Sequence, residues 1–320
     1  MKTRLPALLL PLSLAFPVPI FSQAYGDRPL ENGDDVVTAG LLDWNIGIEY
    51  ENAWNVGSAK RLRGKTYVLE LWLTEVGTQW DWDEMVVVQG KINEALEWLT
   101  DLAAYYGVEA TFEKGSYYGS GGGVTLEELP STLEESTSFP ILTPQALSKI
   151  GYSGGVMQCY DQLMGYDGVD NVLVLSLINK VGRNSSFQFS VKHILSGMED
   201  YFLESAYIFK EQEWGPVTPQ SIAHEILHLY GAWDLYGGQV SEEADRFAKE
   251  NYPYEIMLQV RDPLKDLDIS PLTAWLIGLS PEVKDWFWLF KRLPQHFVGN
   301  ENVAVPPSSL PKPSPPSPRN

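Results

Sequence analysis

Thr218-Pro219-Gln220-Ser221-Ile222-Ala223-His224-Glu225-Ile226-Leu227-His228-Leu229-Tyr230-Gly231-Ala232-Trp233-Asp234 is the stretch around which the rest of the chain is read. Thr218 can accept backbone N–H bonds as an N-cap, and Pro219 suits the first helical position. Gly231 can close the helix in the left-handed conformation. Between these limits His224 and His228 stand four residues apart. Both imidazoles therefore leave one face of the helix and can reach a single metal ion. Glu225 borders that face and is placed to bond a water on the ion rather than the ion itself. Zinc brings the pKa of such a water toward 7, and a carboxylate can take its proton as it attacks a carbonyl. His193 and His296, the other two of four histidines, have no companion at metal spacing and read as structural or exposed.

A catalytic zinc needs a third protein ligand and keeps a fourth position for water. Gly231 lets the chain leave the helix in a conformation other residues resist, and Asp234, three residues on, is then placed to ligate. Written as His224-Glu225-x-x-His228-x-x-Gly231-x-x-Asp234, the stretch resembles the extended zinc motif of the metzincin clan of metallopeptidases. Aspartate stands where that clan usually has histidine, as in the snapalysin-type variant. The resemblance implies one zinc ion held by His224, His228 and Asp234, with Glu225 as general base. It also implies a methionine turn, for which Met257 in Tyr254-Glu255-Ile256-Met257-Leu258 is the candidate. Some members carry a tyrosine two residues after that methionine. Gln259 stands there in this chain, and neither Tyr236 nor Tyr254 is assigned its role. Another class of zinc peptidase takes its third ligand from a glutamate on a later helix. Glu242, Glu243 and Glu250 sit on such a segment, and they read as a solvated helix face.

The rest of the chain is read outward from this helix. Residues 1–24 have a basic start (Lys2, Arg4), a proline-broken apolar run and Ser22-Gln23-Ala24, the pattern of a signal peptide cleaved after Ala24. Residues 25–62 read as an irregular extension or short pro-segment. Residues 63–295 are the expected catalytic domain, with an upper part (63–231) and a lower part (232–295). Residues 296–320 are a proline-rich tail. Strands are expected at Thr66–Thr74, Glu109–Glu113, Asn171–Ile178, Phe187–Phe189 and Ala206–Lys210, the third of them central. An apolar face recurring at three and four residues predicts a long helix over 83–106. Further helices are expected near 241–250, from Pro271 to about Leu279, and from Pro281 to about Arg292.

The fold class that follows is α/β (α+β) and metzincin-like. A twisted mixed sheet, a backing helix and the active-site helix lie above a cleft, with a smaller helical and irregular C-terminal part below. The resemblance implies an edge strand over the cleft that pairs with extended substrate, near Phe187–Ser190. The Gly-rich stretch Gly119–Gly123 lacks the Lys-Ser or Lys-Thr of a phosphate loop and reads as a plain loop.

Composition narrows the partners. A net charge of −19 argues against nucleic acid and anionic membranes, and no later stretch is apolar enough to span a bilayer. A single cysteine, Cys159, allows no internal disulfide and reads as a buried structural thiol. Asp161, Asp167 and Asp170 are a candidate calcium site. Asn184-Ser185-Ser186 is a glycosylation sequon. The expectation is a secreted, monomeric, zinc-dependent peptidase acting on peptides or proteins. The rival is a secreted protein that binds zinc without catalysis. A closed structural site would need a fourth protein ligand, and none stands out.

Overall fold

Strand β1, Gly64–Thr74 (Gly-Lys-Thr-Tyr-Val-Leu-Glu-Leu-Trp-Leu-Thr), is buried along nearly its whole length. Its β-branched and aromatic residues form a run without polar alternation, as expected of a strand covered on both faces. The computed structural model describes residues 57–119, 123–129, 139–187, 203–237 and 240–290. The expected signal peptide, the extension up to residue 56, part of the Gly-rich loop, residues 188–190 of the expected edge strand, His193, His296 and the proline-rich tail lie outside these described residues.

The fold is mixed α/β. After β1 come helix α1 (Trp82–Tyr105), β2 (Ala110–Tyr117), β3 (Val124–Thr125), α2 (Phe139–Lys149) and α3 (Gly155–Met164). Then follow β4 (Val169–Gly182), β5 (Ser185–Phe187), β6 (Ser205–Gln212) and β7 (Gly215–Pro216). Helices α4 (Pro219–Leu229), α5 (Glu242–Asn251) and α6 (Pro271–Leu276) complete the elements. The sheet order is β2-β1-β4-β6-β5, with β3 added to β1 and β7 to β6. β2, β1, β4 and β6 run parallel, while β5 pairs antiparallel to β6 (Ser186 opposite Ala206) at the edge.

Strand pleating sends alternate residues of β1 to opposite faces. Val68 and Trp72 join α1 and α4, with Ile92, Leu99, Ile222 and Ile226 in the same core. Leu69, Leu71 and Leu73 face the other way, onto Leu142 and Leu147 of α2 and Val156 and Cys159 of α3. The α2–α3 layer has no counterpart in the sequence reading. Pro144 interrupts the helical pattern of α2, and proline in a helix interior normally argues against one. Burial pushes the Cys159 thiol up to about 12, which suits an inert structural thiol. At the C-terminal end α6 is shorter than expected. The segment after Pro281 forms a 3-10 turn at Asp285–Phe290 rather than a helix from Pro281.

Residues just before β1 are packed into the domain. Ser58 O accepts the Val172 N–H at 2.8 Å, and Ala59 and Leu62 are fully buried. The lower part is tied together by Glu255, also buried. Its carboxylate accepts the Met257 N–H at 3.0 Å, the Thr273 hydroxyl at 3.2 Å and the Ser270 N–H. It thereby joins the turn holding Met257 to the N-terminus of α6, although burial raises its pKa above the usual carboxylate value. Glu255→Ala strands these donors in a buried place, at ~1–3 kcal/mol for each unsatisfied group. The expected loss is at least ~3 kcal/mol in folding stability, measured by urea unfolding; a loss below ~1 kcal/mol would show that water replaces the carboxylate.

Candidate metal centre

Helix α4 carries the centre, and its two ends are built to hold it. At the start, Thr218 Oγ1 accepts the Ser221 N–H at 3.2 Å, and the Ser221 hydroxyl accepts the Thr218 N–H in return at 3.2 Å. This is a reciprocal cap. At the end, Gly231 has φ 103°, a value that strains any residue with a Cβ. Its N–H bonds His228 O at 2.9 Å, and the Ala232 N–H bonds Leu227 O at 3.0 Å. These two bonds close the helix and turn the chain back along it.

That turn brings Asp234 to the histidines. Asp234 Oδ1 lies 3.2 Å from His224 Nε2 and 3.2 Å from His228 Nε2, and the two Nε2 atoms are 3.1 Å apart. Among the described residues this is the one set of three or more metal-binding side chains whose donor atoms converge. The far nitrogen of each ring is already spoken for. His224 Nδ1 is 3.0 Å from Ile256 O, and His228 Nδ1 is 2.8 Å from Ala232 O. A carbonyl accepts, so each Nδ1 carries the proton of the neutral ring and each Nε2 lone pair points inward. Asp234 Oδ1 is buried without a hydrogen-bond partner.

A zinc ion fits this donor set. Two imidazole nitrogens and a carboxylate oxygen are zinc's usual ligands, and tetrahedral bonds of about 2.0–2.1 Å put ligand atoms roughly 3.3 Å apart. The three observed separations lie within about 0.2 Å of that value. In the metal-free protein the same closeness favours a proton. Burial draws the His224 pKa down, but the Asp234 carboxylate outweighs it and the pKa is raised to about 9. Asp234 itself is held far below the usual carboxylate range by the two histidines, against the opposing effect of burial.

Glu225 is mostly buried, next to His224 in the chain. Ser186 of β5 reaches across to it, with Oγ 2.5 Å from Glu225 Oε2 and 2.9 Å from Glu225 O. Tyr236, two residues past Asp234, lies over His224 with ring centroids 6.5 Å apart and planes 29° apart. Its phenol stays un-ionised, through burial first and then the charge of Asp234. Tyr254, the other tyrosine near the motif, is 57% exposed. Sequence spacing draws no distinction between the two; the turn at Gly231 is what carries Tyr236 inward.

Met257 is fully buried in the same core as α4, and its carbonyl accepts the Leu235 N–H at 2.9 Å. Ile256 O and Met257 O are thus consecutive carbonyls, one orienting His224 and the other fixing the residue after Asp234. Glu242, Glu243 and Glu250 are exposed on α5 and join no metal-binding set. Asp161, Asp167 and Asp170 are also exposed and do not converge. No protein-family model matches this chain, and no curated protein matches it. Among the described residues no helix is long and apolar enough to cross a membrane.

Proposed function

We propose that this chain is a secreted zinc-dependent peptidase of metzincin type, with His224, His228 and Asp234 as zinc ligands and Glu225 as general base. The observation that carries the reading is the convergence of two inward-facing Nε2 atoms and an orphaned carboxylate oxygen, with a second carboxylate, Glu225, directly after His224. Held there, zinc supplies a Lewis acid that lowers the pKa of water toward 7 and polarises the carbonyl under attack. Glu225 takes the proton of the attacking water and passes it to the leaving amine. Tyr236, with its ring over His224, brings a phenol to the edge of the centre.

The sheet supports the same reading. Four parallel strands end in one antiparallel edge strand, β5, which lies against the helix carrying the ligands. An extended peptide can add to such an edge through main-chain hydrogen bonds, with its side chains alternating. Apart from β3 and helices α2 and α3, which stand between β2 and β4, the order strand, long helix, strand, central strand, edge strand, strand, active-site helix matches that expected of the resembled clan.

The test is elemental analysis of purified, metal-replete protein together with peptide cleavage before and after chelation. One zinc per chain is expected, with cleavage of a fluorogenic peptide library abolished by chelator and restored by zinc. Protein without a transition metal would sink the reading. Zinc at one per chain with no cleavage of any peptide would favour a zinc-binding protein without catalysis.

A further inference from the structure

Asn184-Ser185-Ser186 has the spacing of a glycosylation sequon, yet the side chains at both its ends are engaged inside the fold. Asn184 is 7% exposed, and its Oδ1 accepts the Phe209 N–H at 2.9 Å. This bond ties the corner between β4 and β5 to β6. The corner is tightly packed, since a Cβ on Gly182 would sit 2.3 Å from the Phe209 ring. Two residues after Asn184, Ser186 lies on β5 opposite Ala206. Its hydroxyl meets Glu225 twice, at the side-chain Oε2 (2.5 Å) and at the main-chain carbonyl (2.9 Å).

A serine hydroxyl has one proton to give, and both neighbours are acceptors. The contact with the carboxylate is the shorter of the two, 2.5 Å against 2.9 Å. It occupies Oε2, while Glu225 Oε1 takes no hydrogen bond among the described residues. The two oxygens therefore have separate uses, one for anchorage and one for a proton. A glutamate side chain without an anchor samples several rotamers and is aimed away from the reacting atoms part of the time.

We propose that Ser186 is a positioning residue, whose hydroxyl, delivered by the edge strand, holds the Glu225 carboxylate in the orientation from which it takes the proton of water. The consequence for rate rests on the peptidase reading above; the contact itself does not. Anchorage of Asn184 keeps the strand in place, so the triplet acts as a strap between the sheet edge and the general base. A substrate that pairs with β5 is then registered against the same strand that aims the base.

The test compares wild type with Ser186→Ala and Ser186→Thr. For Ser186→Ala the expected result is a kcat lower by ~10–100-fold, the scale seen when an outer partner of a reacting group is lost. KM, zinc content and thermal midpoint should stay near wild type. Ser186→Thr keeps the hydroxyl and should recover most of the rate. A second readout does not depend on turnover: the 13C carboxyl resonance of Glu225 in the metal-free protein, assigned by its disappearance in Glu225→Gln, should shift in Ser186→Ala and not in Ser186→Thr. An unmoved resonance overturns the proposal, as does a Ser186→Ala enzyme with wild-type kcat. If wild type cleaves no peptide, the peptidase reading fails instead, and the carboxyl resonance still decides whether Ser186 holds Glu225.

Discussion

Glu225→Gln is expected to lower peptide hydrolysis by at least ~10²-fold, the lower end of what general base catalysis contributes, while zinc stays at one per chain. Gln keeps the size of the side chain and can still accept the Ser186 hydroxyl, so the bond between β5 and α4 survives the change. An amide has no site for the proton of the attacking water. The ligands should be untouched, because Nδ1 of each histidine is held by a main-chain carbonyl, and neither Ile256 O nor Ala232 O involves Glu225. Elemental analysis and kcat/KM on one peptide substrate settle the outcome. Near-wild-type hydrolysis by the zinc-loaded variant would remove Glu225 from the role of base.

Asp234→Ala is expected to weaken zinc retention by at least ~10-fold, since a direct ligand should matter no less than the outer partners whose loss costs ~10–100-fold. Asp234 Oδ1 is equidistant from the two Nε2 atoms. Alanine leaves two histidines, which is one ligand short of a catalytic zinc site. The same substitution at Glu242, Glu243 or Glu250 should leave affinity nearly unchanged, because these side chains are exposed on α5. Competition titration against a zinc-chelating dye separates the four variants. If a glutamate variant loses the metal while Asp234→Ala binds like wild type, the third ligand belongs to α5 and the metzincin resemblance is misplaced.

The parts of the centre legible beforehand share one property, which is that they are local. His224 and His228 are one helical turn apart, and that spacing alone sets their common face. Gly231 and Asp234 follow within six residues, so a single left-handed residue is enough to return the chain. Strands β1, β4 and β6 were legible because a covered sheet demands long apolar runs, and α1 because its apolar residues recur at helical spacing. Helices α2 and α3 were not legible. Pro144 masks the first, and the second is ten residues long with two glycines at its start.

The sequence by itself therefore determined the helix, its caps, the metal-binding spacing, the candidate base and the acidic character of the chain. Tertiary structure alone decided which tyrosine, Tyr236 or Tyr254, stands at the centre. It alone brought the two ends of the sequon Asn184-Ser185-Ser186 onto Phe209 and Glu225. It also gave Ile256 O to His224 across 32 residues and Ser186 to Glu225 across 39. The physical reason is one of range. Backbone periodicity fixes where a side chain points relative to its near neighbours. Which distant groups it meets depends on how sheet and helices bury their apolar faces against one another, and no spacing along the chain records that.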